Sequence, residues 1–291
     1  MQYQYVPRMP IIFVLLFPLF FIACDHWPDD LVFEPISMNP SAYDQEVLKD
    51  HPVLYLTMGH AASTSETDQS GHENSGAYFP RGNTSGSTVL PNGDAAVTFD
   101  GYEQYLEVRD DDSLSISTTG ALTVETWMRP DALDFPKTHE DDYVHWAGKG
   151  ERNEHEYVLR MYSLHNDVQR PQRISCYVYN LGGGLGAGHA FQEPVAKGEW
   201  VHVTAVYNIK DLSPEFPTGY VRIYKNGELR GTSNLIDFKI VPRNGDAPLR
   251  IGTRDVKSFF LGAIGKFTVY DYELSAERIA AHYQRMVAAG L

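Results

Sequence analysis

Between Pro52 and Tyr270 the chain is a succession of short runs, many alternating apolar and polar residues, punctuated by turn residues. A period of two belongs to a strand with one buried face; a helix would instead repeat its apolar positions every three to four residues. The runs are Val53–Met58, Ala95–Phe99, Tyr105–Val108, Ala121–Arg129, Tyr143–Gly148, Tyr157–Tyr162, Arg173–Tyr179, Trp200–Tyr207, Tyr220–Lys225, Leu249–Gly252 and Ala263–Tyr270. In Trp200–Tyr207 the residues Val201, Val203, Ala205 and Tyr207 share a face. Asn226-Gly227 predicts a tight hairpin into a strand that begins at Glu228, and Asp100-Gly101 reads as a hairpin-like turn. Helical periodicity is confined to the tail, where Ser275 can cap a short helix with Glu277 in its first turn and Ile279, His282 and Tyr283 on one face. Many short strands and no 20–50-residue repeat predict an all-β sandwich or barrel with a short C-terminal helix.

The first 51 residues lack this pattern. Arg8 precedes an apolar run from Met9 to Ala23, about 15 residues long and short of the roughly 20 that cross a bilayer as a helix. It ends at Phe21-Ile22-Ala23-Cys24, with Asp25, Asp29 and Asp30 following. This resembles the bacterial lipoprotein signal, in which a small residue precedes a lipidated cysteine, although Phe21 stands where that signal usually has Leu. The resemblance implies a signal over residues 1–23, lipid on Cys24, and an exported envelope protein held to a membrane, on its periplasmic or surface side. An ordinary cleaved signal or an uncleaved anchor is the alternative. Residues 24–51, rich in Pro, Asp and Ser, read as a tether or loosely packed lead-in, leaving 52–291 as the folded domain.

Composition narrows the partners. A formal net charge of −14 without any Lys/Arg run argues against nucleic acid, which needs a clustered positive surface. The 18 Tyr and 14 Phe suit half-buried strands. Apart from Cys24 the sole cysteine is Cys176, in a strand-like run, which predicts a buried thiol and rules out a disulfide framework.

The order of motifs is specific. Asp68-Gln69-Ser70-Gly71-His72-Glu73-Asn74-Ser75-Gly76, Phe99-Asp100-Gly101, Leu122–Pro130, Glu199–Tyr207, Val221–Leu229, Leu249–Gly252 and Tyr270–Ile279 follow one another as in the laminin-G-like, concanavalin A-like jelly-roll family. The chain resembles that family over about 230 residues. The resemblance implies two curved antiparallel sheets of about six or seven strands each, with Greek-key connections.

It also implies where function would reside. Relatives that cut glucans carry carboxylates two residues apart on one strand. No such pattern occurs here, and Glu125 stands alone between Val124 and Thr126. Asp110-Asp111-Asp112 reads as a solvated turn. His139-Glu140-Asp141-Asp142 and Glu151–Glu156 read as charged loops, with a cation site as the alternative. Calcium is the ion the resemblance suggests, through Asp68, the Asn74 amide and nearby carbonyls. Many relatives add an Asp-Glu pair on the closing strand. Here Gly265 and Lys266 follow Ile264, and the lysine would repel calcium or replace it by pairing with Asp68. The glycine-rich stretch Gly182–Gly188 follows a strand and opens no helix, so it reads as a loop rimming a ligand groove. Trp127 and Trp200 are expected in the core. Tyr102 and Trp146 are expected at the surface, as stacking faces for sugar rings, and Tyr105 and Tyr179 are further candidates. The expectation is a non-catalytic envelope module that binds carbohydrate or a protein surface through its concave sheet or rim loops. A glycan-active enzyme with a hidden carboxylate pair and a structural or adhesion component are the alternatives.

Overall fold

The computed structural model describes residues 39–288 apart from 62, 82–85, 141 and 166–168. The segment expected to be a signal, and Cys24, lie outside the described residues. The strands in chain order begin with β1 (Leu54–Leu56), β2 (Ser65–Glu66), β3 (Gly76–Phe79), β4 (Gly86–Val89), β5 (Ala95–Asp100), β6 (Tyr105–Val108), β7 (Ala121–Pro130) and β8 (Tyr143–Lys149). They continue with β9 (Tyr157–Tyr162), β10 (Ile174–Val178), β11 (Ala187–Ala190), β12 (Val201–Asn208), β13 (Tyr220–Lys225), β14 (Glu228–Asn234), β15 (Leu249–Ile251) and β16 (Leu261–Tyr270). The α-helices are α1 (Ala42–Leu48), the single turn α2 (Ile116–Thr119) and α3 (Ala276–Ala288).

Two antiparallel sheets of eight strands each result. The first runs β14-β13-β12-β7-β16-β5-β4, with β1 also paired to β16; the second runs β11-β10-β9-β8-β15-β6-β3-β2. This is the expected jelly-roll sandwich. The added strands are short ones such as β2, β4 and β11, whose sequences carry too few alternating positions to stand out. The Asn226-Gly227 hairpin forms as predicted, with φ of 53° and 83° at the two turn residues. Asp100-Gly101 does not make a hairpin. It carries the chain from β5 in one sheet to β6 in the other, and Asp100 Oδ1 accepts from the backbone N–H groups of Tyr102, Glu103 and Gln104 to hold that corner.

The main core fills the space between the sheets, with Val124, Met128, Val203 and Ile264 meeting Val144, Leu159, Cys176 and Ile251. Cys176 is wholly buried there, and burial pushes its thiol pKa up to about 12, so it packs as a small hydrophobe.

A second packing layer covers the back of the first sheet. The other face of β7 turns Glu125 and Trp127 away from the main core and under α1 and α3. Trp127 packs with Tyr43, Val47, Tyr55 and Met286, and it stacks on Tyr283 with ring centroids 5.8 Å apart. Residues 39–51 therefore do not all belong to a loose lead-in. Ser41 and Asp44 form a capping box for α1, and Tyr43 and Val47 are buried. Seven residues are too few to show periodicity, and tertiary contacts hold the helix. At the other end of the chain Ser275 Oγ accepts from Arg278 N–H at 3.3 Å, the predicted cap of α3.

Glu125 lies at the centre of this layer. It is fully buried and accepts from His202 Nε2 at 2.7 Å, from His282 Nδ1 at 3.0 Å and from the Tyr270 hydroxyl at 3.1 Å. His282 Nε2 lies 2.8 Å from Asp50, which also pairs with Arg278. Burial alone would raise the Glu125 pKa, but charge on His282 and hydrogen bonds from both histidines outweigh it and hold the carboxyl well below its usual range. Burial alone would lower the His282 pKa, and Glu125 and Asp50 together raise it instead.

The sign of the linkage follows. Glu125 contributes stability above its ordinary pKa of 4.5 and loses it as pH falls through its lower folded value. His282 contributes fully below its ordinary 6.5 and loses it as pH rises through its higher folded value. The pair is thus strongest between these two pH values. Urea midpoints measured from pH 6 to pH 9 should fall less steeply for His282→Asn than for the parent chain. Glu125→Ala, which leaves buried histidines without their carboxylate, should cost about 3–5 kcal/mol in the same assay at pH 6.

Candidate functional site

The opposite sheet carries the cleft. Along β8, β9 and β10 the pleat sends Val144, Leu159, Cys176 and Val178 inward. It presents Tyr143, His145, Arg160, Tyr162, Ser175 and Tyr177 on the outer face. The ladder places His145 opposite Arg160, Arg160 opposite Ser175, and Tyr143 opposite Tyr162. Cross-strand neighbours thereby become one contiguous surface. The cleft above it has a volume of about 490 Å³. Tyr179 and Arg170 extend its floor, while Gly183–Gly186 and Phe238 form its rim.

Arg160 organises the floor. Its guanidinium lies 3.9 Å from the Tyr177 ring centroid and 4.8 Å from those of Tyr143 and Tyr162. Nε donates to Ser175 Oγ at 3.2 Å and Nη2 to the Tyr162 hydroxyl. Arg170 Nη1 donates to the Tyr177 hydroxyl at 2.9 Å. A planar cation stacked on ring faces is strongly held and leaves its edge for hydrogen bonding. Burial raises the Tyr177 phenol, but Arg160 and Arg170 outweigh it and bring its pKa down, whereas burial keeps Tyr162 and Tyr179 raised. Arg254 also lines the cleft, 5.7 Å from the Tyr179 ring centroid. Among the described residues the lining holds four tyrosines, three arginines and two histidines, with no Asp or Glu, in a chain of net charge −14.

Glycoside hydrolysis needs two carboxylates flanking the scissile bond, and the cleft lining supplies neither. Close carboxylates do occur elsewhere. Asp44 and Asp94 share Lys266, Asp110 and Glu156 share Lys149, and Glu125 and Asp50 share His282. Each pair closes on a buried cationic side chain, and none of the six lines the cleft.

The predicted site residues are scattered. Trp146 is 0% exposed and sits in the main core beside Phe260. The alternation of β8 sets Val144 and Trp146 on the inward face and His145 on the outward one, so Trp146 packs in the core rather than presenting a face to sugar. Tyr102 is 59% exposed on the Asp100 corner and is not among the residues lining the cleft. Trp127 is buried as expected, and Tyr179 does reach the cleft. The Gly182–Gly188 stretch is the rim loop the sequence suggested. A side chain at Gly186 would collide with the Tyr179 ring, with a Cβ 2.6 Å from it, so glycine lets the loop lie against that tyrosine.

The Asp68 loop closes on itself. Asp68 Oδ1 accepts from Tyr55 N–H at 2.8 Å and Ser70 N–H at 2.9 Å, and Oδ2 from the Ser70 hydroxyl at 2.7 Å and Asn74 N–H at 3.0 Å. The Asn74 amide donates to Val53 O at 2.8 Å. A calcium ion would have to displace these donors. Lys266 does not reach Asp68; it sits in a bulge at φ 55° and pairs with Asp44 at 2.6 Å and Asp94 at 2.8 Å.

One cluster with metal-ligand chemistry adjoins the cleft. His139, His145 and Asp255 place candidate ligand atoms all within 4.8 Å of one another. The sequence read the His139 stretch as a charged loop, with a cation site as the alternative, and gave no sign that Asp255 would meet it. The tyrosine–arginine floor was foreshadowed by the spacings Tyr143-x-His145, Arg160-x-Tyr162 and Tyr177-x-Tyr179, which place large polar or aromatic residues on the face opposite the aliphatic ones.

The model of the Concanavalin A-like lectin/glucanases superfamily matches residues 100–280, more than half of the chain, and the chain belongs to that superfamily. No curated protein matches it by sequence. Among solved structures it is similar to the botulinum neurotoxin serotype D ligand binding domain in complex with N-acetylneuraminic acid. The identity is 17% and the TM-score 0.57, over 84% of this chain and 52% of that one. It is similar to domain 4 of a GH43 extracellular arabinanase from Geobacillus stearothermophilus in complex with arabinotriose, at 14% identity and TM-score 0.54, over 80% and 98% of the two chains. It is also similar to the binding domain of botulinum neurotoxin DC in complex with rat synaptotagmin II, at 13% identity and TM-score 0.56, over 82% and 52%. The chain spans about half the length of the neurotoxin chains it matches. At these identities the likeness is one of fold.

The opposed placements of Trp146 and Tyr102 are directly measurable. Trp146→Ala should lower unfolding free energy by about 3–5 kcal/mol. Tyr102→Ala should change it by less than about 0.5 kcal/mol in the same denaturation experiment.

Proposed function

We propose that this superfamily member is a saccharide-binding module whose tyrosine–arginine cleft takes an acidic sugar without cleaving it. One observation carries the reading: Arg160 is stacked among Tyr143, Tyr162 and Tyr177 on a floor that includes Arg170 and Arg254 but no carboxylate. Tyrosine rings offer apolar faces to a pyranose and hydroxyls to its polar edge. Guanidinium edges match a carboxylate, and the surrounding protein bears the opposite charge to the site. Sugar complexes of structural neighbours, one with N-acetylneuraminic acid and one with arabinotriose, support a saccharide as the ligand class. Presentation on an envelope through lipid at Cys24 belongs to the same proposal, since an extracellular glycan must be met outside the membrane.

The rim favours a second reading. Leu185, 83% exposed, and Phe238 stand at the cleft mouth, where they could contact a protein that carries the sugar or replaces it. Titration calorimetry against N-acetylneuraminic acid and uronic-acid oligosaccharides, with neutral arabino-oligosaccharides as controls, separates these outcomes. The acidic sugars should bind at least about tenfold more tightly, and Arg160→Gln should remove about ten- to a hundredfold of that affinity, the equivalent of one charged hydrogen bond. Equal binding of neutral sugars, or an Arg160→Gln variant with unchanged affinity, would overturn the proposal. Binding only to protein ligands, lost in Leu185→Ser, would establish the second reading.

A further inference from the structure

At one end of the cleft, β8 meets the loop that follows β15. His139 precedes β8, His145 lies within it, and Asp255 lies in the loop. His139 Nε2 is 3.3 Å from Asp255 Oδ1, and His145 Nδ1 is 3.8 Å from Asp255 Oδ2. The two imidazole centroids are 4.3 Å apart.

The first contact makes no hydrogen bond despite its length, and the second is too long for one. His139 Nε2, both ring nitrogens of His145 and Asp255 Oδ1 are buried without a hydrogen-bond partner. His145 itself is only 3% exposed. Buried polar atoms without partners are rare, because each forfeits its hydration. One candidate ligand atom from each of the three residues lies within 4.8 Å of the others, and the unpartnered atoms call for a partner the protein does not supply.

We propose that His139, His145 and Asp255 form a binding site for a divalent transition metal of the zinc class, with a fourth coordination position open. Zinc takes imidazole nitrogen and carboxylate oxygen at about 2.0–2.2 Å in tetrahedral geometry, which sets ligand atoms roughly 3.3 Å apart. The His139–Asp255 separation already has that value, and the remaining atoms need close by only a side-chain adjustment. Two imidazoles and one carboxylate suit a borderline ion. Calcium, which needs six to eight oxygens, does not fit.

The frame is tied in place before any ion arrives. His145 N–H donates to Ser258 Oγ at 3.0 Å, Thr253 Oγ1 to Ser258 O at 2.6 Å, and His139 N–H to Tyr143 O at 2.9 Å. Arg254 Nη2 donates to Asp255 Oδ2 at 3.0 Å. That bond orients the carboxylate with Oδ1 left for the ion, the arrangement expected of an outer partner to a ligand. His145 lines the cleft, so the open position lies beside the ligand space, although the site does not depend on the nature of the cleft ligand.

The test uses the full chain after chelator treatment and dialysis. Cobalt(II) titration should give the visible absorption of a four-coordinate nitrogen–oxygen site, saturating at one equivalent, and zinc should displace it. His139→Gln and Asp255→Asn should each weaken binding at least about tenfold, the scale on which lost ligand support acts. His165→Gln, at a largely exposed histidine distant in sequence, should leave it unchanged. Far-ultraviolet circular dichroism and saccharide affinity report whether each variant still folds. No saturable cobalt spectrum, or a spectrum retained in folded His139→Gln and Asp255→Asn, would overturn the proposal.

Discussion

A carboxylate sealed away from water needs compensation on every side, and Glu125 receives it from three elements at once. His202 comes from β12, Tyr270 from the end of β16 and His282 from α3. The first two elements flank β7 in the sheet, and the third lies across its back. A buried charge with partners so widely separated in sequence specifies an arrangement more sharply than apolar contact does, because a misplaced helix would strand an ion rather than lose a little surface. Asp50 continues the chain of contacts to the segment after α1. The segment after α1 and the helix α3 are thus fastened to the central strand by the same charge.

Lys266 and Lys149 repeat the device on a smaller scale. Lys266, placed by a bulge in β16, joins Asp44 in the first turn of α1 to Asp94 before β5. Lys149 joins Asp110 to Glu156 and donates to Gly245 O at 2.6 Å, tying three loops at one end of the second sheet. Acidic residues that would look catalytic as a count are in this way consumed as fasteners. The outer face of β8–β10 is left with aromatic and cationic groups.

The long strands were legible in the sequence because alternation over six or more residues cannot be mistaken for a helix, as in Val201–Asn208 and Tyr157–Tyr162. So were the Asn226-Gly227 turn and the cap at Ser275, which are local. What escaped was non-local or short. Ala42–Leu48 needs the sheet beneath it to be a helix, and Asp100-Gly101 looks like a hairpin until the two strands it joins are seen in separate sheets. Trp146 was misplaced because the run Tyr143–Gly148 has no clean apolar–polar alternation, and only the formed sheet reveals that Trp146 shares the inward face of Val144. Glu125 looked solitary because its partners lie 77 and 157 residues away. The cleft could be sensed only as outward-facing tyrosines, since no pattern within one strand reveals that Arg160 will be stacked by side chains from three.

The glycine-rich rim gives the cleft a particular kind of wall. Where Gly183, Gly184 and Gly186 border it, a ligand meets peptide groups instead of side chains. The vocabulary of such a wall is fixed: one donor and one acceptor per residue, whose positions follow the path of the chain. Drift in side-chain identity cannot retune it, and lengthening or shortening the loop can. Under the proposed function, specificity would therefore be divided between two modes of variation: substitution on the strands of the floor, and insertion or deletion along the rim.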